Sequence, residues 1–215
     1  MIDTLDTTAL SAPIDPSVRG GWVGRNRRER DHRLASFAEA NHLEVIPRID
    51  RPTLPGFVFE PHQHVPQRWA EGVYRIPAER RVEIGEFVYV SAGAQMRRSY
   101  VAIELPAHVP NIVLDASSNQ VLGLSSVPLP PQRSQRLSLE GDFDRTFSLS
   151  APGGYEADAL YLFTPDVMAN FVDGASAFDV ELVDNWAILS TPAPLDRLDP
   201  DASNRRVAAV NATLA

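Results

Sequence analysis

The stretch VEIGEFVYVS, residues 82–91, decides the fold class of this chain. It is rich in Val, Ile, Phe and Tyr, and its side chains fit a period of two, the pattern of a β-strand. Working outward, the same reading applies to HLEVIPRI (42–49), GFVFE (56–60), GVYRIP (72–77), RSYVAIELP (98–106) and NIVLDA (111–116). Turns containing proline separate them, such as Arg51-Pro52 and Leu105-Pro106. Pro47 lies inside the first run and cannot donate to a ladder, so that run is expected at a sheet edge. Residues 116–134 read as a long polar, Pro-rich loop, after which QRLSLEG (135–141) and FSLSA (147–151) read as neighbouring strands.

The period changes at both ends. Leu34, Phe37, Ala38 and Leu43 recur at helical spacing, which predicts a helix from about Arg28 to Ala40, with Asn41 suited to its end. YEADALYLF (155–163) reads as a short helix. Thr164-Pro165-Asp166 then starts a second, with Thr at the N-cap, Pro at the first helical position and Asp in the first turn. FDVELV (178–183) and WAILS (186–190) form a hairpin across Asp184-Asn185. The expected fold is α+β, a mostly antiparallel sheet with an N-terminal helix and a helix pair before a C-terminal hairpin. Residues 1–27 are expected to be a disordered or extended arm, 28–198 a single α+β domain, and 199–215 a C-terminal helical tail carrying Val207, Val210 and Leu214. The expected core comprises Phe37, Tyr100, Ile103, Val113, Leu137, Phe147, Leu160, Phe163, Met168, Phe171, Val180 and Ile188.

Composition narrows the function. The chain has 215 residues, a net charge of −8 and no cysteine, which removes disulfides, thiolate metal sites and cysteine nucleophiles. An acidic balance argues against DNA as a partner, because binding a polyanion needs an excess of cations. Its 20 basic residues are all arginine, which fits a GC-rich coding genome and has no physical account. Residues 1–20 lack the pattern of a signal peptide, and no run of about 18 apolar residues occurs. The expected compartment is the cytoplasm. Residues 138–201 hold 13 acids and 2 arginines, against 15 acids and 16 arginines before them, a distribution that a solvated acidic face would explain.

Three constellations could carry chemistry. Glu140, Asp142 and Asp144 place three carboxylates in five residues. They lack the pattern of a calcium loop, so the reading is a capped turn: Asp142 caps one helical turn, and Phe143 and Phe147, four apart, pin it from below. Glu60, His62 and His64 could place two imidazoles and a carboxylate around one metal ion, but flanking prolines make the segment a loop. Trp22 with Arg25, Arg27, Arg28, Arg30 and Arg33 could dock on an anionic lipid surface or on RNA. Pro128 to Arg133 fits a short polyproline ligand but reads better as a stiff connection. The motifs of phosphate loops, dinucleotide folds, nucleophile elbows and zinc proteases are absent.

SYVAIELPAHVPNIVLDA (99–116), QRLSLEGDFDRTFSL (135–149), YEADALYLFTPDVMANFVD (155–173) and FDVELVDNWAIL (178–189) resemble a group of uncharacterised actinobacterial proteins. More loosely, Leu139 to Leu189 is similar to a widespread bacterial domain of unknown function that often lies beside transmembrane helices. No catalytic residues are established for these proteins, so the resemblance assigns no activity. The expected function is therefore a soluble, non-enzymatic binding domain for a protein partner or a membrane complex. The alternatives are a metal-dependent hydrolase using His62, His64 and a carboxylate, and a lipid-surface or nucleic-acid adaptor working through Arg25–Arg33.

Overall fold

In the computed structural model, residues 32, 35–76, 79–120, 122–128, 134–139 and 141–192 are described. Their strands are β1 (Glu44–Asp50), β2 (Arg68–Ile76), β3 (Val82–Ser91), β4 (Ala94–Glu104), β5 (Ile112–Ala116), β6 (Ser134–Leu137), β7 (Phe147–Pro152), β8 (Asp179–Val183) and β9 (Trp186–Thr191). They form one nine-stranded sheet in the order β1-β2-β3-β4-β9-β8-β5-β7-β6. Every pairing is antiparallel. The fold is α+β, as the alternation of residues predicts.

Tight turns hold the hairpins in register. Ala92 and Gly93, at φ 49° and 80°, join β3 to β4, and Asp184 at φ 53° joins β8 to β9. The proline-bearing β1 is an edge strand, as expected. The last hairpin does not add to an edge. It inserts between β4 and β5 and bridges the β1–β4 meander to the β5–β7–β6 group. Its strands are buried along nearly their whole length, so they are the central strands of the molecule.

Alternate residues on these strands face opposite sides. Val101, Ile103, Ile112, Leu114, Phe147, Leu149, Val180, Leu182, Ala187 and Leu189 face one side. The helices Phe143–Thr146, Glu156–Leu162 and Pro165–Ala175 cover it with Phe143, Ala159, Phe163, Phe171 and Ala175. The other side carries Ala70, Phe87, Tyr100, Ala102, Val113, Val183 and Ile188. It is covered by residues 51–66, here termed the strap, through Leu54, Phe57, Val58 and Phe59, and by Val127.

The strap replaces an expected strand. GFVFE has no ladder partner; it runs through a turn into a short 3₁₀ helix, Glu60–His62. Pro52, Pro55 and Pro61 remove backbone donors there, and Gly56 sits at φ +107°, outside the strand region. Its three apolar residues are all buried, whereas a strand would split them between faces. Near the N-terminus, residues 35–40 are helical, and Phe37, Ala38 and Leu43 pack with Tyr74. The left-handed conformation falls on His42 (φ 53°), while the Asn41 side-chain amide donates to the Phe37 carbonyl at 2.8 Å.

Of the expected core, Phe37, Tyr100, Ile103, Val113, Phe147, Phe163, Phe171, Val180 and Ile188 are buried. Leu137 and Met168 are half-buried against the helix-side core. Leu160 is a correction, being 57 % exposed. Helix Glu156–Leu162 turns Ala159 and Phe163, four apart, toward the sheet, and this swings Leu160 outward. The arm with Trp22, Arg25, Arg27, Arg28, Arg30 and Arg33, Glu140, most of the polyproline-like run and the tail 199–215 lie outside the described residues.

Candidate functional site

The strap side of the central strands carries more charge than its burial leads one to expect. On β3 and β4, Gly85 and Tyr100 are cross-strand partners. The tyrosine ring lies over the glycine so closely that a Cβ there would meet its hydroxyl at 2.9 Å. This lets the Tyr100 hydroxyl donate to Glu83 Oε1 at 2.7 Å. Glu83 Oε2 accepts from Arg75 Nε at 3.0 Å and from an Arg81 terminal nitrogen at 2.9 Å. Burial pushes the Glu83 carboxyl up, but the hydrogen bonds from Arg81, Tyr100 and Arg75 outweigh it and hold it below the usual range. Burial and the adjoining Glu83 raise Tyr100.

A second group lies on β4, β8 and β9. An Arg98 terminal nitrogen donates to Asp179 Oδ2 at 2.5 Å and to Ser126 Oγ at 3.0 Å, and Arg98 Nε donates to Ser190 Oγ at 3.1 Å. The Ala116 N–H donates to Asp179 Oδ1 at 3.0 Å. Two residues on, Glu181 accepts the backbone N–H of Phe57 and, at 3.3 Å, that of Val58. Asp179 and Glu181 are both 0 % exposed. Burial pushes the Asp179 carboxyl up against the opposing pull of Ser126 and Arg98. Burial likewise pushes Glu181 up, to about 7. Asp142, Asp144, Asp158, Asp166 and Asp173 fit the expected solvated acidic face, but Asp179 and Glu181 do not.

Beside the first group, the strap and the sheet line a half-open pocket of about 250 Å³. Thr53, Leu54, Pro55 and Gln63 line it on the strap, and Arg81, Glu83, Ala102 and Trp186 on the sheet. The Arg81 guanidinium lies 5.7 Å from the centre of the Trp186 ring.

The structure separates the residues of the metal constellation. Glu60 and His64 are exposed. The His62 ring instead stacks on Tyr89, with centroids 3.8 Å apart and planes 17° from parallel. Burial, followed by the nearby Arg98 charge, lowers its pKa. Among the described residues no three His, Asp or Glu side chains converge as a metal site.

The acidic turn is anchored, but by a different residue from the one expected. Asp142 makes no capping bond; its carboxylate meets Arg145 at 2.5 Å in solvent. Asp144 does the anchoring. Its Oδ1 accepts the Leu139 N–H at 2.9 Å, and its Oδ2 accepts the Ser138 hydroxyl. The helical turn follows directly on Gly141 (φ +66°), and Asp144 is the carboxylate that reaches back over it. Phe143 and Phe147 are buried with centroids 5.3 Å apart, as the spacing implies. Thr164 occupies the N-cap position before Pro165 without a side-chain cap bond. Asp144→Ala is therefore expected to lose about 0.5–2 kcal/mol of stability. Asp142→Ala, which removes an exposed ion pair, is expected to lose less than about 0.5 kcal/mol. Denaturant midpoints of the two variants check the order, and the reverse order would refute the assignment.

Arg98, Asp179, Glu181 and Glu83 are the charged groups that the local pattern does not single out, and Tyr100 is expected in the core without its bond to Glu83. The strands that bear Arg98 and Asp179 are separated by β9, and the two positions are 81 apart in the sequence. No spacing rule joins them.

No protein-family model and no curated protein matches the chain. Among solved structures, the chain is similar to the mycobacterial trehalose monomycolate transport factor A, TtfA, with a TM-score of 0.55 and 11 % identity. The likeness covers 83 % of this chain and 88 % of that one, and it is a likeness of fold.

Proposed function

We propose that this chain is a non-catalytic binding domain that docks a protein partner within a membrane-associated assembly. The observation that carries the reading is the outer surface of helix Glu156–Leu162. Tyr155, Leu160 and Tyr161 are 48 %, 57 % and 84 % exposed there. Large apolar side chains grouped on one exposed element are the usual anchor of a partner. Glu156 and Asp158 stand on the same helix and Asp166 opens the next one, so the fitting partner is an amphipathic segment with apolar anchors and basic flanks. On the strap side, Glu83, Arg98, Asp179 and Glu181 spend their hydrogen bonds on the protein itself, which favours a structural role over a reactive one. TtfA, which shares the fold, is named as a transport factor, and that is in keeping with this reading. Among the described residues no helix is long and apolar enough to cross a membrane, so in this reading the partner supplies the membrane contact.

A photo-crosslinking residue at Tyr161, in the full chain in its native host, tests the proposal against the same residue at exposed Ser91. A protein adduct specific to position 161 and lost on Leu160→Asp is expected. Leu160→Asp should leave the denaturant midpoint within about 0.5 kcal/mol, as an exposed substitution does. Equal adducts at both positions, or none at 161, would refute the docking face.

A further inference from the structure

The strap is built mostly from its own bonds. The N–H groups of Phe59 and Glu60 donate to the Gly56 carbonyl, that of His62 to Phe59, that of Gln63 to Glu60 and that of Val65 to His62. The Gln63 side-chain amide closes the loop on the Leu54 carbonyl at 3.0 Å. Near its middle, the Phe57 and Val58 N–H groups reach down to one carboxylate of the sheet, Glu181. Gly56 permits this approach. It adopts φ +107°, and a Cβ there would stand 3.3 Å from Glu181 Oε1.

We propose that Glu181 is the latch of a pH-governed strap: residues 51–66 lie down over the neutral carboxyl and lift as it ionises, widening the pocket beside Trp186. A buried carboxylate loses its hydration, and two amide donors return only part of it. Lifting the strap exposes Glu181 to water, where the ionised form is favoured. Arg98 also favours the ionised form in place, and Asp179 opposes it. The other charged or titratable groups on this side of the sheet are Asp115 of β5, held by Gln120 at 2.8 Å, Tyr89 of β3, His62 of the strap, and the Glu83 group with Tyr100, Arg75 and Arg81.

The sign follows from the carboxyl's position at about 7 when buried, against 4.5 in water. A group raised by folding contributes its stability fully below the lower value and loses it as pH rises through the higher one. Closure of the strap therefore weakens from about pH 5 to about pH 8. His62 acts in the opposite sense, since burial lowers it and acidification favours its release. Its effect lies at the acid end, below about pH 6.5. The strap supplies Thr53, Leu54, Pro55 and Gln63 to one wall of the pocket, so its movement changes the pocket's width.

Hydrogen–deuterium exchange of the full chain tests the latch, reading the segment 54–60 against 112–118. The second segment contains Ala116, whose N–H is held by Asp179 and not by the strap. After correction for the intrinsic exchange rate, the opening constant of 54–60 is expected to rise roughly 10- to 100-fold between about pH 5 and pH 8, with 112–118 nearly unchanged. Glu181→Gln, which keeps a carbonyl for Phe57 and cannot ionise, is expected to flatten the rise. If Glu181→Gln fails to fold, the wild-type profile still decides. A flat profile at 54–60, an equal rise in 112–118, or an undiminished rise in Glu181→Gln would overturn the proposal.

Discussion

Asp179→Ala is expected to lower the unfolding free energy by about 3–5 kcal/mol, the largest loss among polar substitutions in this protein. The carboxylate is the ionic partner of Arg98, whose side chain is only 13 % exposed, and it also accepts from Ser126 and from the Ala116 N–H. Its removal leaves the guanidinium without the carboxylate it pairs with, although Glu181 still attracts it, and leaves a buried amide without an acceptor. The pair itself is not a strong net stabiliser. Burial raises Asp179 and lowers Arg98, so both ionised forms are held against their preference for water. The cost comes from breaking the pair. Asp179→Asn separates the two effects, because it keeps an oxygen for Ala116 and removes the charge, and it should lose less than alanine. Urea denaturation near pH 7 gives the comparison. A loss below about 1 kcal/mol in Asp179→Ala would show that Arg98 finds another partner.

Phe171→Ala is expected to cost a similar amount, about 3–5 kcal/mol, for a different reason. Phe171 is buried on the inner face of helix Pro165–Ala175. Its ring meets Phe147 edge-on at 6.4 Å and Phe163 at 5.9 Å, so it joins the helix layer to the sheet. Truncation leaves a cavity lined by aromatic rings that the rigid strands cannot close. Phe163→Ala should behave alike, since that ring also touches Phe143 at 6.0 Å. Leu160→Ala on the neighbouring helix is the control and should be nearly silent. A midpoint unchanged in Phe171→Ala would mean that the helix presents another face to the sheet.

The buried aromatics show how far local pattern carries. Phe147, Phe163 and Phe171 follow from helical and strand spacing, because apolar residues at the right period must find a common interior. Leu160 shows the limit. In the run Ala159-Leu160-Tyr161-Leu162-Phe163 nearly every position is apolar, so the period does not choose the inner face. Contact with the sheet chooses it, through Ala159 and Phe163. The acidic turn fails similarly. Asp142 and Asp144 are equally plausible anchors by residue type, and the path of Ser138 and Leu139 decides for Asp144.

By itself the sequence determined the α+β class, the strand positions apart from GFVFE, the edge place of β1 and the Asp184-Asn185 hairpin. These depend on side-chain period, proline's missing donor and the φ that a tight turn needs, all properties of a few neighbouring residues. Only the tertiary structure placed the last hairpin between β4 and β5, laid GFVFE over the sheet as a strap, and buried Asp179 and Glu181 beneath it. Alternation along DVELV puts Asp179 and Glu181 on one face but cannot say what covers that face. Whether a carboxylate there meets water, an arginine from β4 or two amides from the strap depends on segments more than 80 residues away, and those meet it only when the sheet closes.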